Sequence, residues 1–172
     1  MTDIYVDLAR QAVEVYTTRK EIIEVPEGLP KIFYTSTTGV FVTIQKGKKL
    51  RGCIGTYLPT KPSLAEEIIS NAISACSKDP RFTPVTQQEL PLLSYEVSLL
   101  FAPEVLENID RHNPKRHGII VMTDDGRTGL ILPDLDGVNT VHEQVSIACQ
   151  KAGISFGDET YSIYHFTVEK HQ

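Results

Sequence analysis

Apolar and polar side chains alternate with a period of two from Val40 to Ile44 and again from Leu50 to Ile54, with Lys46-Gly47-Lys48-Lys49 between. That pattern predicts a β-hairpin over residues 39–56, with Gly47 supplying the positive φ of its turn. On the return strand Leu50, Gly52 and Ile54 are expected on one face, Leu50 and Ile54 buried together, with the lysine tip exposed. Arg51, Cys53 and Gly55 share the other face, which puts a guanidinium and a thiol on one side.

Around the hairpin the period changes. Ile4, Leu8, Ala12 and Val15 recur at three- and four-residue steps, predicting a helix from Asp3, its N-cap, to about Arg19. Pro26, Gly28 and Pro30 break regular structure. Ser63 and Glu66 have capping-box spacing and open a helix with Leu64, Ile68, Ala72 and Cys76 on one line, which ends near Lys78 because Pro80 disfavours helix at Asp79. Thr86 and Glu89 repeat that spacing, but Pro91 limits them to a short turn. Residues 94–101 alternate as a strand, with Tyr95, Val97, Leu99 and Phe101 opposite Glu96, Ser98 and Leu100. Residues 103–116 read as a polar, solvated loop, with a basic cluster of Arg111, His112, Lys115, Arg116 and the following His117. Two apolar runs, 119–122 and 129–132, flank an Asp125-Gly126 turn. Thr140 and Glu143 cap a final helix through Val141, Val145, Ala148 and Ala152, ended by Gly153, and 160–168 closes the chain as a strand. Helices interspersed with hairpin-linked strands indicate an α+β fold with a mostly antiparallel sheet.

The chain has 172 residues, 17 Lys and Arg against 22 Asp and Glu, and a net charge of -5. That length suits one domain, and the acidic balance argues against nucleic acid as the main partner. No apolar run reaches the length of a membrane span, and the N-terminus lacks a signal-peptide core. Cys53, Cys76 and Cys149 show no C-x-x-C spacing, which predicts reduced thiols and a cytoplasmic protein. Cys76 and Cys149 lie on apolar helix faces and read as structural. The five histidines lack ligand spacing among themselves, so no metal site is expected.

The heptapeptide Leu50-Arg51-Gly52-Cys53-Ile54-Gly55-Thr56, the preceding GVFVT and the later Asp79-Pro80-Arg81-Phe82 resemble the AMMECR-type domain family. The likeness continues through Glu96-Val97-Ser98-Leu99-Leu100, His117-Gly118, Leu130-Ile131-Leu132-Pro133 and Cys149-Gln150-Lys151-Ala152-Gly153-Ile154, and so spans nearly the whole chain. The resemblance implies a single domain over residues 1–172 built as two closely packed α+β lobes, the second smaller, with a cleft between them and the chain crossing from one to the other. It implies an enzyme of unassigned reaction, no known cofactor, and Memo-type and radical-SAM proteins as partners. The chain departs from the family at Asp134, where glutamine is common, and in lacking tryptophan between Asp136 and Val141.

Two functional readings follow. In one, Cys53 is a nucleophile or redox thiol, its pKa lowered by Arg51, with His117 transferring protons and Arg51 or Arg81 holding an anionic group of the substrate. Gly52, Gly55, Thr56, Asp79, Phe82 and Glu96 complete that substrate site, with Glu96 expected to reach Arg51. In the other, the same surface is a non-catalytic adaptor that grips a peptide, a nucleotide or a partner protein. Whether the chain is an enzyme is left open at this point.

Overall fold

In the computed structural model, which describes residues 3–172, Val40, Val42 and Ile44 of strand β1 (Gly39–Lys46) are fully buried. β1 pairs antiparallel with β2 (Lys49–Thr56) on one side and β3 (Leu93–Leu100) on the other. The buried face of β1 meets Tyr95, Val97 and Leu99 of β3 and is covered by helices α1 (Ile4–Arg19) and α3 (Leu64–Ser77). α2 (Ile32–Thr35) is a single turn that buries Phe33 in the same core. Asp3 caps α1 through the amides of Tyr5 and Val6, and Ser63 accepts from the amide of Glu66 at the start of α3. These caps satisfy backbone donors that a helix start leaves free. The predicted strand 94–101 ends one residue early, and Phe101 lies outside it, exposed.

The hairpin forms with its tip exposed, but one expectation about it fails. Ile44 opposes Gly52 and Gln45 opposes Leu50, so Arg51 is an extra residue, a β-bulge. The bulge shifts the alternation, and Leu50 turns away from the core and is 41% exposed. Ile54, beyond the bulge, packs against the core as expected.

The described chain divides into two compact units: the first runs to Leu100 and includes Glu169–Gln172, the second is Phe101–Val168. In the second, β7 (Ser162–His171) pairs with β5 (His117–Met122), β5 with β6 (Thr128–Ile131), and the short β4 (Glu104–Val105) with β7, all antiparallel. Helix α4 (Val141–Ala152) covers Ile119, Val121 and Ile131 with Val145, Ala148 and Cys149. A complete capping box at Thr140 and Glu143 opens it, and Gly153 closes it at φ 67°. The architecture is α+β with an antiparallel sheet, as the patterning implies. Cys76 and Cys149 are buried, in keeping with core thiols.

α3 lies unusually close to β2. A Cβ on Gly52 would stand 2.2 Å from the carbonyl oxygen of Ala75, which is backbone and has little room to yield. Gly52→Ala is therefore expected to lower stability by about 1–3 kcal/mol or more. Leu50→Gln, at an exposed position, should change it by no more than about 0.5 kcal/mol. Urea unfolding midpoints at constant m-value compare the two directly.

Candidate functional site

The bulge decides where Arg51 goes. Its guanidinium pairs with Glu89, Nε to Oε1 at 2.9 Å and Nη2 to Oε2 at 3.0 Å, and also donates to the carbonyls of Thr83 and Pro84. The same Glu89 accepts from the Thr86 amide and from Lys46. Arg51 holds the Glu89 carboxyl well below the usual range. The guanidinium thus faces a carboxylate and a loop. The expected Arg51–thiol pairing is not formed, because the bulge turns the side chain toward the 3-10 turn Gln87–Leu92.

Cys53 lies on the face of the sheet opposite α1 and α3. Its sulfur is 3.2 Å from Oγ1 of Thr43, its cross-strand partner. Its amide donates to Oδ2 of Asp79 at 2.9 Å, and its carbonyl accepts from Nη2 of Arg81 at 3.3 Å. Burial pushes the Cys53 thiol above its ordinary pKa, and the Thr43 hydrogen bond and the Arg81 charge offset only part of that. The expected lowering does not occur: desolvation penalises the thiolate, and Arg51 is engaged elsewhere.

Asp79 is 4% exposed and accepts from the Arg81 amide, the Arg81 guanidinium and the Cys53 amide. Arg81 holds its carboxyl well below the usual range, against the opposing effect of burial. The Arg81 side chain is 55% exposed, and its guanidinium carbon lies 5.5 Å from the centre of the Phe82 ring, with that of Arg51 at 5.9 Å. The corner therefore presents a half-exposed guanidinium over an aromatic ring.

The remaining expected residues have other neighbours. Gly55 lies under Phe41, whose ring carbon would be 2.3 Å from an added Cβ. Thr56 donates to the buried Glu67 at 2.6 Å. Glu96 bonds Ser98 and accepts from Gln172, and does not pair with Arg51 as expected; it lies in register with Thr43, on the far side of β1 from Cys53. His117 belongs to the second unit, where its ring clusters with those of His112 and His165. His112, expected in a solvated loop, is buried. Sequence reasoning missed Thr43, Glu67 and Glu89, whose contacts with the heptapeptide depend on strand register and on the packing of neighbouring elements. The capping-box spacing around Glu89 was visible, but its second role as the partner of Arg51 was not. A concavity of about 540 Å³ between α3 and residues 22–25 has an apolar floor of Ile69 and Ile73, and none of the expected site residues lines it.

The family model for AMMECR1 matches residues 6–171. The chain belongs to the AMMECR1 family. A Thermotoga maritima protein is 46% identical over 169 residues, covering 98% of this chain and 97% of the relative. A Clostridium acetobutylicum protein is 44% identical over 173 residues, covering 99% of this chain but 36% of the relative, so the matched region is one part of a longer polypeptide there. The crystal structure of an uncharacterized protein from Pyrococcus horikoshii matches with a TM-score of 0.87 at 35% identity, covering 96% of this chain and 88% of that one.

In this AMMECR1-family chain, positions of the heptapeptide from Arg51 to Thr56 hold the hairpin to its surroundings. Arg51 grips Glu89, Gly52 admits α3, Cys53 takes Asp79 on its backbone, Gly55 accommodates Phe41 and Thr56 binds Glu67. All three carboxylates, Asp79, Glu89 and Glu67, have folded pKa values below their unfolded ones. Such groups contribute stability that is fully present above the unfolded value of about 4 and is lost as pH falls toward the folded value. The urea midpoint should therefore fall between pH 6 and pH 3. In Asp79→Asn the fall should be shallower, with the variant less stable than the parent at pH 7 by about 1–3 kcal/mol. An equal pH slope in both proteins would show that Asp79 does not supply this linkage.

Proposed function

We propose that this protein is a non-catalytic recognition module of the AMMECR1 family, whose Arg81–Phe82 corner and the adjoining Cys53–Thr43 sheet face bind an anionic group of a partner protein. One observation carries this reading. Asp79 and Arg81 close off the Cys53 backbone and burial favours the neutral thiol, while the Arg81 guanidinium stays half-exposed on Phe82. A half-exposed arginine over an aromatic ring suits a carboxylate or phosphate, since its planar fork matches both. The longer Clostridium relative supports a modular role, because the matched region is about a third of it. The resemblance to AMMECR-type domains makes Memo-type and radical-SAM proteins the partners to test first. A reducing, cytoplasmic setting is part of the proposal and rests on the three unpaired cysteines.

The enzyme reading keeps one observation in its favour, which is that Cys53 is half-buried while Cys76 and Cys149 are buried. Two measurements separate the readings. Native-state alkylation should label Cys53 before the other two, with an apparent pKa above the free-thiol value of about 8.5. Arg51→Gln should leave that titration unchanged, because Arg51 is committed to Glu89. An apparent pKa below the free value would restore the nucleophile and count against the module. Calorimetry with the Memo-type and radical-SAM proteins should give binding that survives Cys53→Ala and weakens at least tenfold in Phe82→Ala. Absence of binding to both by the parent protein would remove the partner assignment.

A further inference from the structure

Outside the recognition surface, three histidines far apart in sequence converge in the second unit. His112 lies in the segment before β5, His117 begins β5 and His165 is on β7. One ring nitrogen from each lies within 4.8 Å of the others. β5 residues His117, Ile119 and Val121 alternate toward α4, and His165 is in register with Ile119, so both strand histidines point to the α4 side of the sheet.

The protonation pattern of the rings suits ligation. Gln144 of α4 is 1% exposed, and its side-chain amide nitrogen donates to the carbonyl of His117 at 3.0 Å. Its oxygen is thereby turned to His112 Nε2 at 2.5 Å and can only accept, so the His112 proton sits on Nε2 and the Nδ1 lone pair is free. That Nδ1, and Nδ1 of His165, are buried and have no hydrogen-bond partner among the described residues. A ring held by its second nitrogen against a fixed acceptor is the arrangement that orients a metal-ligating histidine. Nδ1 of His117 accepts from the Asn113 amide at 2.9 Å, in an exposed bond whose loss water can compensate when that ring turns to ligate.

We infer that His112, His117 and His165 form a binding site for one late first-row divalent metal ion such as Zn²⁺. Three neutral imidazoles supply nitrogen but no negative charge, and Arg116 adds positive charge beside His117. A hard ion held by charge, Mg²⁺ or Ca²⁺, therefore finds no site here, whereas ions that favour imidazole do. A cavity of about 190 Å³, lined by His117, His165 and Glu104 among others, adjoins the cluster. Glu104 is directly opposite His165 on β4, and the cavity leaves room for that carboxylate or a water as fourth ligand.

Titration calorimetry of the tag-free full chain with ZnCl₂ and with MgCl₂ tests the inference. The expected result is one saturable Zn²⁺ site of micromolar or tighter affinity and no Mg²⁺ site. Zn²⁺ binding should be lost in His112→Asn and in His165→Asn, weakened about 10- to 100-fold in Gln144→Leu, and unchanged in His142→Asn. Should a variant fail to fold, the parent protein decides alone. Zn²⁺ should shift the imidazole nitrogen resonances of His112, His117 and His165 and leave those of His142 unmoved, and Co²⁺ should give visible d–d bands without a thiolate charge-transfer band. No saturable Zn²⁺ binding, affinity unchanged in both folded histidine variants, or a thiolate band would each overturn the site.

Discussion

The contact on which the first unit depends is the docking of α3 along β2. β2 stands at the edge of its sheet, so half its backbone groups have no strand to pair with. α3 cannot pair with them as a strand would, yet it lies close enough that the Ala75 carbonyl touches the space where a Gly52 side chain would be. Carboxylates secure the two ends of this contact. Glu67, in the first turn of α3, takes Thr56, and Asp79, just beyond its last turn, takes the Cys53 amide. Arg81 returns a donor to the Cys53 carbonyl, so Asp79 and Arg81 together act as the missing neighbour strand for one residue.

This arrangement settles the competition for positive charge around the sulfur. Charge-assisted hydrogen bonds to carboxylates are about twice as strong as neutral ones, and both nearby arginines make them. Arg51 is 13% exposed and gives four hydrogen bonds, two of them to Glu89. Arg81 gives two guanidinium bonds to Asp79. At the sulfur the Arg81 charge, which favours a thiolate, is opposed by the charges of Asp79 and Glu96. Glu67 shows the same logic without a cation. It is 1% exposed, yet donors from Thr56, Thr60 and Lys61 keep its pKa lowered although burial alone would raise it.

Local patterning made most of this fold legible. Alternation found the hairpin, and cap spacing at Ser63, Thr86 and Thr140 placed two helix starts and the 3-10 turn. The bulge at Arg51 was not legible, because a single inserted residue leaves the apolar pattern unchanged while it reverses which residues face the core. The site suffered from the same limit. Arg51 and Cys53 are two apart in sequence, but one hydrogen bond register decides whether they share a face, and that register is set by the partner strand. Histidine spacing along the chain likewise says nothing about β7 returning beside β5, which is what brings His165 to His117.

The two units meet similar packing problems in similar ways, and the difference between them is informative. Gly129 of β6 lets the Ala148 carbonyl of α4 within 1.9 Å of where a Cβ would stand, just as Gly52 admits Ala75. Both helices therefore dock by backbone approach on a strand glycine. In the first unit the buried carboxylates that accompany this contact are satisfied. Glu67 and Asp79 each accept several hydrogen bonds. In the second unit Gln144 is satisfied, but Nδ1 of His112 and of His165 have no hydrogen-bond partner among the described residues. The first unit has two such atoms as well, Tyr95 Oη and His171 Nε2, but neither belongs to the carboxylate contact. An unpaired buried polar atom costs about 1–3 kcal/mol, and two of them in one cluster, beside a glutamine that fixes a tautomer, are hard to account for by packing alone. The distinctive heptapeptide is thus explained largely by architecture. The inconspicuous histidines carry the chemistry that the fold itself does not use.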